Sequence, residues 1–378
     1  MIERPIDKAA LTQLMAVFPA TAILGPRQSG KSTLAREFAA DHVFDLENPR
    51  DRALLEHPQL TLESLSGLIV IDEIQRAPEI FPLLRHLIDN LPGQRYLILG
   101  SASRDLIRQA SESLAGRIGF HELGGFRLAD VGVRNWRRLW IRGSLPRSYT
   151  AASDVDSSLW REQYIATFLE RDIPQLGIAI PAATLRRFWT MVSHYHGQVL
   201  NYAELARAFG ISDMTVRRYL DILEGTFMAR LLRPWHVNVG KRLVKRPKLY
   251  LRDTGLLHSL LTIGSERDLA SHNKLGASWE GFALETAARA CGKRPEELAF
   301  WSTHTGAEVD LFWQEYGKNW AVEIKYTDAP RFTPSMASAL RDLKLEHLWV
   351  LYPGDRAYPL APKVTTLPIG EIVSGWGY

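Results

Sequence analysis

Gly25, Gly30, Lys31 and Ser32 fall at the spacing G-x-x-x-x-G-K-[ST] in the run Gly25-Pro26-Arg27-Gln28-Ser29-Gly30-Lys31-Ser32. That spacing suits the cradling of a polyphosphate. Glycines let successive backbone N–H groups turn toward the phosphates. A lysine neutralises the β- and γ-phosphates, and a hydroxyl ligates Mg²⁺. The apolar run Thr21–Leu24 precedes the loop and a helical pattern follows it, so the helix N-terminus adds its positive dipole end. ATP with Mg²⁺ is the expected ligand, with Gln28, Ser29 and Thr33 completing the nucleotide contacts.

A second apolar run, Leu68–Ile71, ends in Asp72-Glu73. Asp72 is suited to the magnesium shell and Glu73 to orienting and deprotonating the attacking water. Downstream, Gly100-Ser101-Ala102-Ser103 closes another apolar run and offers the Ser101 hydroxyl as a γ-phosphate sensor. Arg117 ends Ser113-Leu114-Ala115-Gly116-Arg117, just before a fifth run. At a subunit edge it would act as an arginine finger on a neighbour's ATP; alone, it is a surface residue. The expected catalytic set is Lys31, Glu73 and Arg117.

A second chemistry is suggested near the C-terminus, where Asp310 stands in Gly306-Ala307-Glu308-Val309-Asp310 and Glu323 and Lys325 in Val322-Glu323-Ile324-Lys325. Two positions apart on a strand, Glu323 and Lys325 share one face. In a hairpin, Asp310 and Glu323 would hold a divalent metal while Lys325 stabilises or deprotonates a water. Glu280, on a helix spanning Trp279–Ala290, would complete the acidic set. Carboxylates without thiols favour Mg²⁺ or Mn²⁺.

The elements that must position these groups follow from patterning. With 378 residues, 46% hydrophobic and 23% charged, the chain has ordinary globular composition and length for two or three domains. From about residue 6 to 140, apolar runs (Thr21–Leu24, His42–Leu46, Leu68–Ile71, Tyr96–Leu99, Ile118–Leu123) alternate with helical patterns, as in a parallel sheet with crossover helices. Residues 155–230 read as helical. Ala203–Phe209 ends at Gly210, and a new N-cap in Ile211-Ser212-Asp213 opens a helix from Met214 to Glu224. Two strands, Phe227–Trp235 and Lys248–Leu251, follow. Strands at Glu308–Trp313, Trp320–Tyr326 and His347–Leu351 and a helix from Pro334 to Leu343 close the chain. The expected domains are 1–150, 151–265 and 266–378.

Net charge is only +4, yet Leu231 to Arg252 carries seven basic residues and no acid. The two helices around Gly210 have helix-turn-helix proportions, and the strands after them would make the unit winged. Thr215, Arg217 and Arg218 would face a DNA groove, and Lys241, Arg242, Lys245 and Arg246 would lie on phosphates. The same arrangement also serves as an ATPase lid or a protein-contact module. A lone Cys291 excludes an internal disulfide, no run is long enough to span a membrane, and Met1-Ile2-Glu3-Arg4 opens no secretory signal. A cytoplasmic location is expected.

At these residues the chain resembles bacterial and archaeal AAA-type ATPases with an uncharacterised C-terminal domain similar to PD-(D/E)XK nucleases. The resemblance rests on Gly25–Ser32, Asp72-Glu73-Ile74-Gln75-Arg76, Ser111–Arg117, Trp160–Leu176, Thr215–Glu224 and Gly240–Lys245. It implies a P-loop domain, a winged-helix lid and a nuclease-like domain with Glu280, Asp310, Glu323 and Lys325 in the metal-site positions. Where relatives carry Gly-Gly-Phe-Pro, this chain has Gly143-Ser144-Leu145-Pro146. The expectation is an α/β protein coupling ATP hydrolysis to DNA binding and processing, as a homo-oligomer that a trans-acting Arg117 would make a ring, with hexamers among the options. The alternative is an ATP-dependent switch or scaffold whose nuclease-like domain binds a partner without cleaving.

Overall fold

The computed structural model describes residues 2–101, 110, 112–235, 244–374 and 376. The chain forms two compact units, Met1–Phe126 with Gly225–Phe227, and Arg127–Glu224 with Met228–Tyr378.

In the first unit, five strands form a sheet of order β2-β3-β4-β1-β5. They are β1 (Ala20–Leu24), β2 (His42–Asp45), β3 (Gly67–Asp72), β4 (Gln94–Gly100) and β5 (Ile118–Glu122), matching the five apolar runs. Every pairing is parallel. Burial on both faces explains why the runs of the interior strands β1, β3 and β4 are continuous rather than alternating. Ala20, Ala22, Ile69, Ile71, Tyr96 and Ile98 enter one apolar cluster. Their strand neighbours Ile23, Val70, Leu97 and Leu99 enter the other. Helices with described bounds include α1 (Pro5–Val17), α2 (Lys31–Ala35), α3 (Pro49–Leu54), α4 (Pro58–Leu62) and α5 (Phe81–Asn90). On α5, Phe81, Leu84 and Leu87 recur every three residues and are buried. Because β3, β4 and β1 are neighbours, the segments leaving their carboxyl ends meet at one edge of the sheet. Such edges hold the ligands of open α/β sheets.

The second unit is built on a nine-stranded sheet of order β13-β14-β12-β11-β10-β9-β7-β8-β6. Its strands are β6 (Gln198–Val199), β7 (Ala229–Pro234), β8 (Lys248–Leu251), β9 (Ala299–Ser302), β10 (Glu308–Glu315), β11 (Lys318–Ile324), β12 (Leu345–Tyr352), β13 (Pro359–Ala361) and β14 (Val364–Pro368). The main helices are α6 (Asp154–Thr167), α7 (Ala182–Ser193), α8 (Tyr202–Phe209), α9 (Asp213–Gly225), α10 (Leu275–Cys291) and α11 (Pro334–Asp342). Phe168–Asp172, inside one of the resemblance motifs, is a π-helical turn continuing α6.

Two features of this unit go beyond the sequence-based expectation. Sequence patterning changes near residue 150, whereas the backbone contacts divide the chain after Phe126. The reason is aromatic: Trp140, in the helix Trp136–Arg142, packs edge-on against Trp279 at 5.4 Å and against Phe282 and Tyr326. In addition, the two strands expected on either side of the basic stretch pair with each other and also join the C-terminal sheet. Parallel pairing of β7 with β9 (Arg233 with Ala299, Pro234 with Phe300) makes the sheet continuous.

Candidate functional site

The first site lies at the carboxyl edge of the five-stranded sheet. Gly25 leaves β1 where a Cβ would stand 2.0 Å from the Leu123 carbonyl oxygen, so no larger residue fits without moving the backbone. Gly30 has φ 97°, the left-handed conformation that turns the loop into α2. Lys31 is buried and donates to the Gly25 and Pro26 carbonyls at 3.0 and 2.9 Å. The Ser29 hydroxyl is buried with no hydrogen-bond partner. A buried ammonium folded onto its own loop and an unsatisfied hydroxyl beside it fit a site made for phosphate oxygens.

Ser32 Oγ donates to Asp72 Oδ2 at 2.5 Å. Burial raises the pKa of the Asp72 carboxyl above the ordinary range, against the lowering effect of the Ser32 hydrogen bond. A hydroxyl and a carboxylate in contact, the latter short of positive charge, fit the oxygen pair that Mg²⁺ takes in P-loop proteins.

Glu73 occupies a left-handed backbone position, φ 56° and ψ 41°, which swings its side chain off the strand direction. The Gln75 amide donates to Glu73 Oε2 and, at 2.8 Å, to Ser101 Oγ. Ser101 Oγ itself donates to Glu73 Oε2 at 3.2 Å. Arg27 Nη2 lies 3.8 Å from the same oxygen and bonds Glu47 at 2.8 Å, and Arg76 bonds that Glu47 oxygen at 2.9 Å. The structure therefore brings Glu73 and Ser101 together as expected residues and adds Arg27, Glu47 and Gln75, which sequence reasoning left unassigned. Gln75 was legible only as part of the run Asp72–Arg76. Arg117 precedes the edge strand β5, with its guanidinium forked onto Asp89 of the same chain at 2.6 and 3.0 Å.

The expected C-terminal carboxylates gather without forming a metal site: among the described residues no group of three or more His, Cys, Asp or Glu side chains is placed to hold a metal ion. β10 and β11 do pair as a hairpin, with Leu311 opposite Val322. Asp310 and Glu323 both lie within it, buried. The obstacle is a residue that the sequence reading placed in the basic stretch, Lys248. Its Nζ lies 3.3 Å from Glu280 Oε1 and 3.2 Å from Asp310 Oδ1, and it also bonds Glu308. Burial works against the Lys248 charge, but the surrounding Tyr250, Asp310, Glu280 and Glu308 outweigh it and hold its pKa well above the lysine range. Burial, then the Asp310 charge, raises the pKa of both Glu280 and Glu323. Lys325 Nζ pairs with Glu323 Oε1 at 2.6 Å.

Of the expected DNA-facing residues, Lys241 and Arg242 lie outside the described residues. Gly210, φ 70°, ends α8, and the Ser212 hydroxyl accepts from the Thr215 backbone N–H at 3.1 Å at the start of α9. Arg217 and Arg218 are exposed on α9, with the Arg217 guanidinium 3.8 Å from the Tyr202 ring centroid. Lys245 and Arg246 are also exposed. In Gly143-Ser144-Leu145-Pro146, Asp253 Oδ2 accepts from Ser144 N, Ser144 Oγ and Leu145 N at 2.7, 2.9 and 3.3 Å.

A parallel sheet whose interior strand β1 runs into a glycine-lysine-serine loop, one strand away from β3 with its two closing acids, defines a P-loop NTPase. Residues 17–131 match the family described as an AAA domain. Residues 133–267 and 275–372 match two domains of unknown function, DUF8612 and DUF4143. Over 379 residues the chain is 49% identical to the uncharacterized proteins Mb2031c of Mycobacterium bovis and Rv2008c of Mycobacterium tuberculosis, covering 99% of this chain and 85% of each relative. The chain belongs to the family of these mycobacterial proteins, and its residues 17–131 are an AAA domain of the P-loop class. Among solved structures it is similar to the Walker-type ATPase paby2304 of Pyrococcus abyssi, at 14% identity and TM-score 0.44, over 69% of this chain and 96% of that one. No helix among the described residues is long and apolar enough to cross a membrane.

Proposed function

We propose that the protein hydrolyses ATP with Mg²⁺ and uses the cycle to bind and remodel DNA. The observation carrying the hydrolytic half is the Ser32–Asp72 contact set beside a Glu73 held in reserve by Gln75 and Ser101. Bound magnesium would supply charge neutralisation between the β- and γ-phosphates, held through Ser32 and Asp72. Lys31 leaves the Gly25 and Pro26 carbonyls for phosphate oxygens. Glu73 takes a proton from water as the water oxygen bonds to the γ-phosphorus and the bond to the β-phosphate oxygen breaks, giving ADP and phosphate. In a homo-oligomer such as a hexameric ring, Arg117 leaves Asp89 for the neighbouring nucleotide.

The DNA half is supported by the order α7, β6, α8, α9, β7, β8, which is the sequence of elements in a winged helix, and by exposed Arg217, Arg218, Lys245 and Arg246. The test is ATPase activity and DNA binding of wild type, Glu73→Gln and Lys31→Ala at low salt, with linear, single-stranded and branched DNA, alongside light scattering for the assembly. Absence of both DNA binding and DNA-stimulated hydrolysis would end the DNA reading while leaving the ATPase standing.

A second reading, an ATP-dependent switch whose C-terminal region engages a partner without cleaving, is favoured by the lysine among its carboxylates. There, Lys31→Ala abolishes partner capture and Asp310→Ala leaves it intact.

A further inference from the structure

Four carboxylates crowd one end of the C-terminal sheet: Glu280 from α10, Glu308 and Asp310 from β10, and Glu323 from β11. Five of their eight oxygens are engaged, three of them by one ammonium. Glu280 Oε1 accepts from Lys248 Nζ at 3.3 Å and from the Tyr250 hydroxyl at 2.5 Å. Asp310 Oδ1 accepts from Lys248 at 3.2 Å, and its Oδ2 from the Ile324 backbone N–H at 2.8 Å. Glu308 Oε1 takes a third ammonium contact. Glu323 Oε1 is paired with Lys325, and its other oxygen is buried with no partner. Lys248 thus holds one oxygen each of Glu280, Glu308 and Asp310, three oxygens that a cation such as Mg²⁺, which demands a near-octahedral shell, would need.

Lys248 is built into this position rather than lying across it. Its side chain is only 4% exposed. Its strand, β8, lies between β7 and β6, and Lys248 is in register with Leu232 on one side and Val199 on the other. Two residues along, Tyr250 shares the same face of the strand and donates to the same Glu280 oxygen. A buried ammonium needs several negative partners, and the four carboxylates need positive charge. Each requirement meets the other.

We propose that the Lys248 ammonium is the resident cation of this cluster, standing where the carboxylates would otherwise collect a divalent metal, so that the region is a metal-free, non-cleaving module. A monovalent ammonium offsets part of the negative charge but does not activate water as a divalent Lewis acid does. This inference deepens the second reading above, a C-terminal region that does not cleave, and its test does not require ATP hydrolysis or DNA binding.

The test is Mn²⁺ binding by the full-length, nucleotide-free chain, followed by electron paramagnetic resonance of free Mn²⁺ and by thermal unfolding. Wild type and Asp310→Asn are expected to give the same binding curve, because no Asp310-dependent metal site exists, and wild type is expected to nick no DNA in an Asp310-dependent manner. Lys248→Met is expected to gain one Mn²⁺ per chain, lost again in Lys248→Met/Asp310→Asn, with a Tm that rises on adding Mn²⁺. If Lys248→Met does not fold in chelator, Lys248→Met/Glu308→Gln removes one negative charge with the positive one and is measured instead. A wild-type Mn²⁺ site abolished by Asp310→Asn would overturn the proposal. So would a folded Lys248 variant that gains no Asp310-dependent site.

Discussion

Ser32 and Asp72 lie forty positions apart in the chain, yet their side chains meet at 2.5 Å. The loop after β1 supplies one and the end of β3 the other, with β4 between their strands. This contact joins the phosphate-holding loop to the strand that carries Glu73, and the loss of either member is expected to show first in metal dependence. Ser32→Ala should raise the Mg²⁺ needed for half-maximal ATPase by at least about 10- to 100-fold. A magnesium titration of phosphate release at saturating ATP checks it, and an unchanged midpoint would remove Ser32 from the metal shell.

Glu73→Gln keeps the shape of the side chain and removes the base. Hydrolysis is expected to fall by about 10²- to 10⁴-fold, with ATP binding retained. Phosphate release measured beside equilibrium nucleotide binding separates the two, and a variant that hydrolyses ATP normally would transfer the base role elsewhere.

Arg230 and Arg252 both pair with buried Glu285, Arg230 in a two-pronged contact, and Arg230→Met leaves the carboxylate with a single, longer contact from Arg252 at 3.4 Å. Breaking such a pair costs about 3–5 kcal/mol. Burial would raise the Glu285 pKa, but the neighbouring charges of Arg230 and Arg252 outweigh it and bring it down to about 2 from an ordinary 4.5. The folded state therefore gains stability above pH 4.5 and loses it as pH falls from there toward 2. Denaturant unfolding of wild type and Glu285→Gln at several pH values should show that part of the slope vanish in the variant.

Asp253 ties Ser144 and Leu145 to its own helix, whose Leu256 N–H it also accepts at 2.9 Å. Asp253→Ala strands buried donors and should cost about 2–3 kcal/mol, seen as a lowered denaturation midpoint. An unaltered midpoint would mean that the 143–146 turn is held by other contacts.

If α9 lies on DNA, Arg217→Ala and Arg218→Ala should each lower the slope of log affinity against log salt by about 1 if the residue contacts a phosphate. Binding curves at several salt concentrations decide it; an unchanged slope would place both arginines off the phosphates.

The phosphate-binding loop was legible because its chemistry is local. Gly25, Gly30, Lys31 and Ser32 act through backbone curvature that a contiguous run specifies. The interior strands β1, β3 and β4 of the first sheet were legible because burial on both faces leaves nearly uninterrupted apolar runs. The short strands β6 and β13 carried no such signal, being two and three residues long. Nor did β9, four residues beside Pro295-Glu296-Glu297, announce itself.

What the sequence by itself determined is therefore the nucleotide site and the sheet that bears it, together with the carboxylates near the C-terminus as individual residues. What only the tertiary structure decided is what those carboxylates face. Lys248 lies 62 positions from Asp310 and 32 from Glu280, inside a basic stretch that reads in sequence as a footprint for phosphates. The continuous sheet turns this one lysine inward and leaves Lys245 and Arg246 exposed. Charge pairing between distant strands depends on register and burial, which no local pattern records.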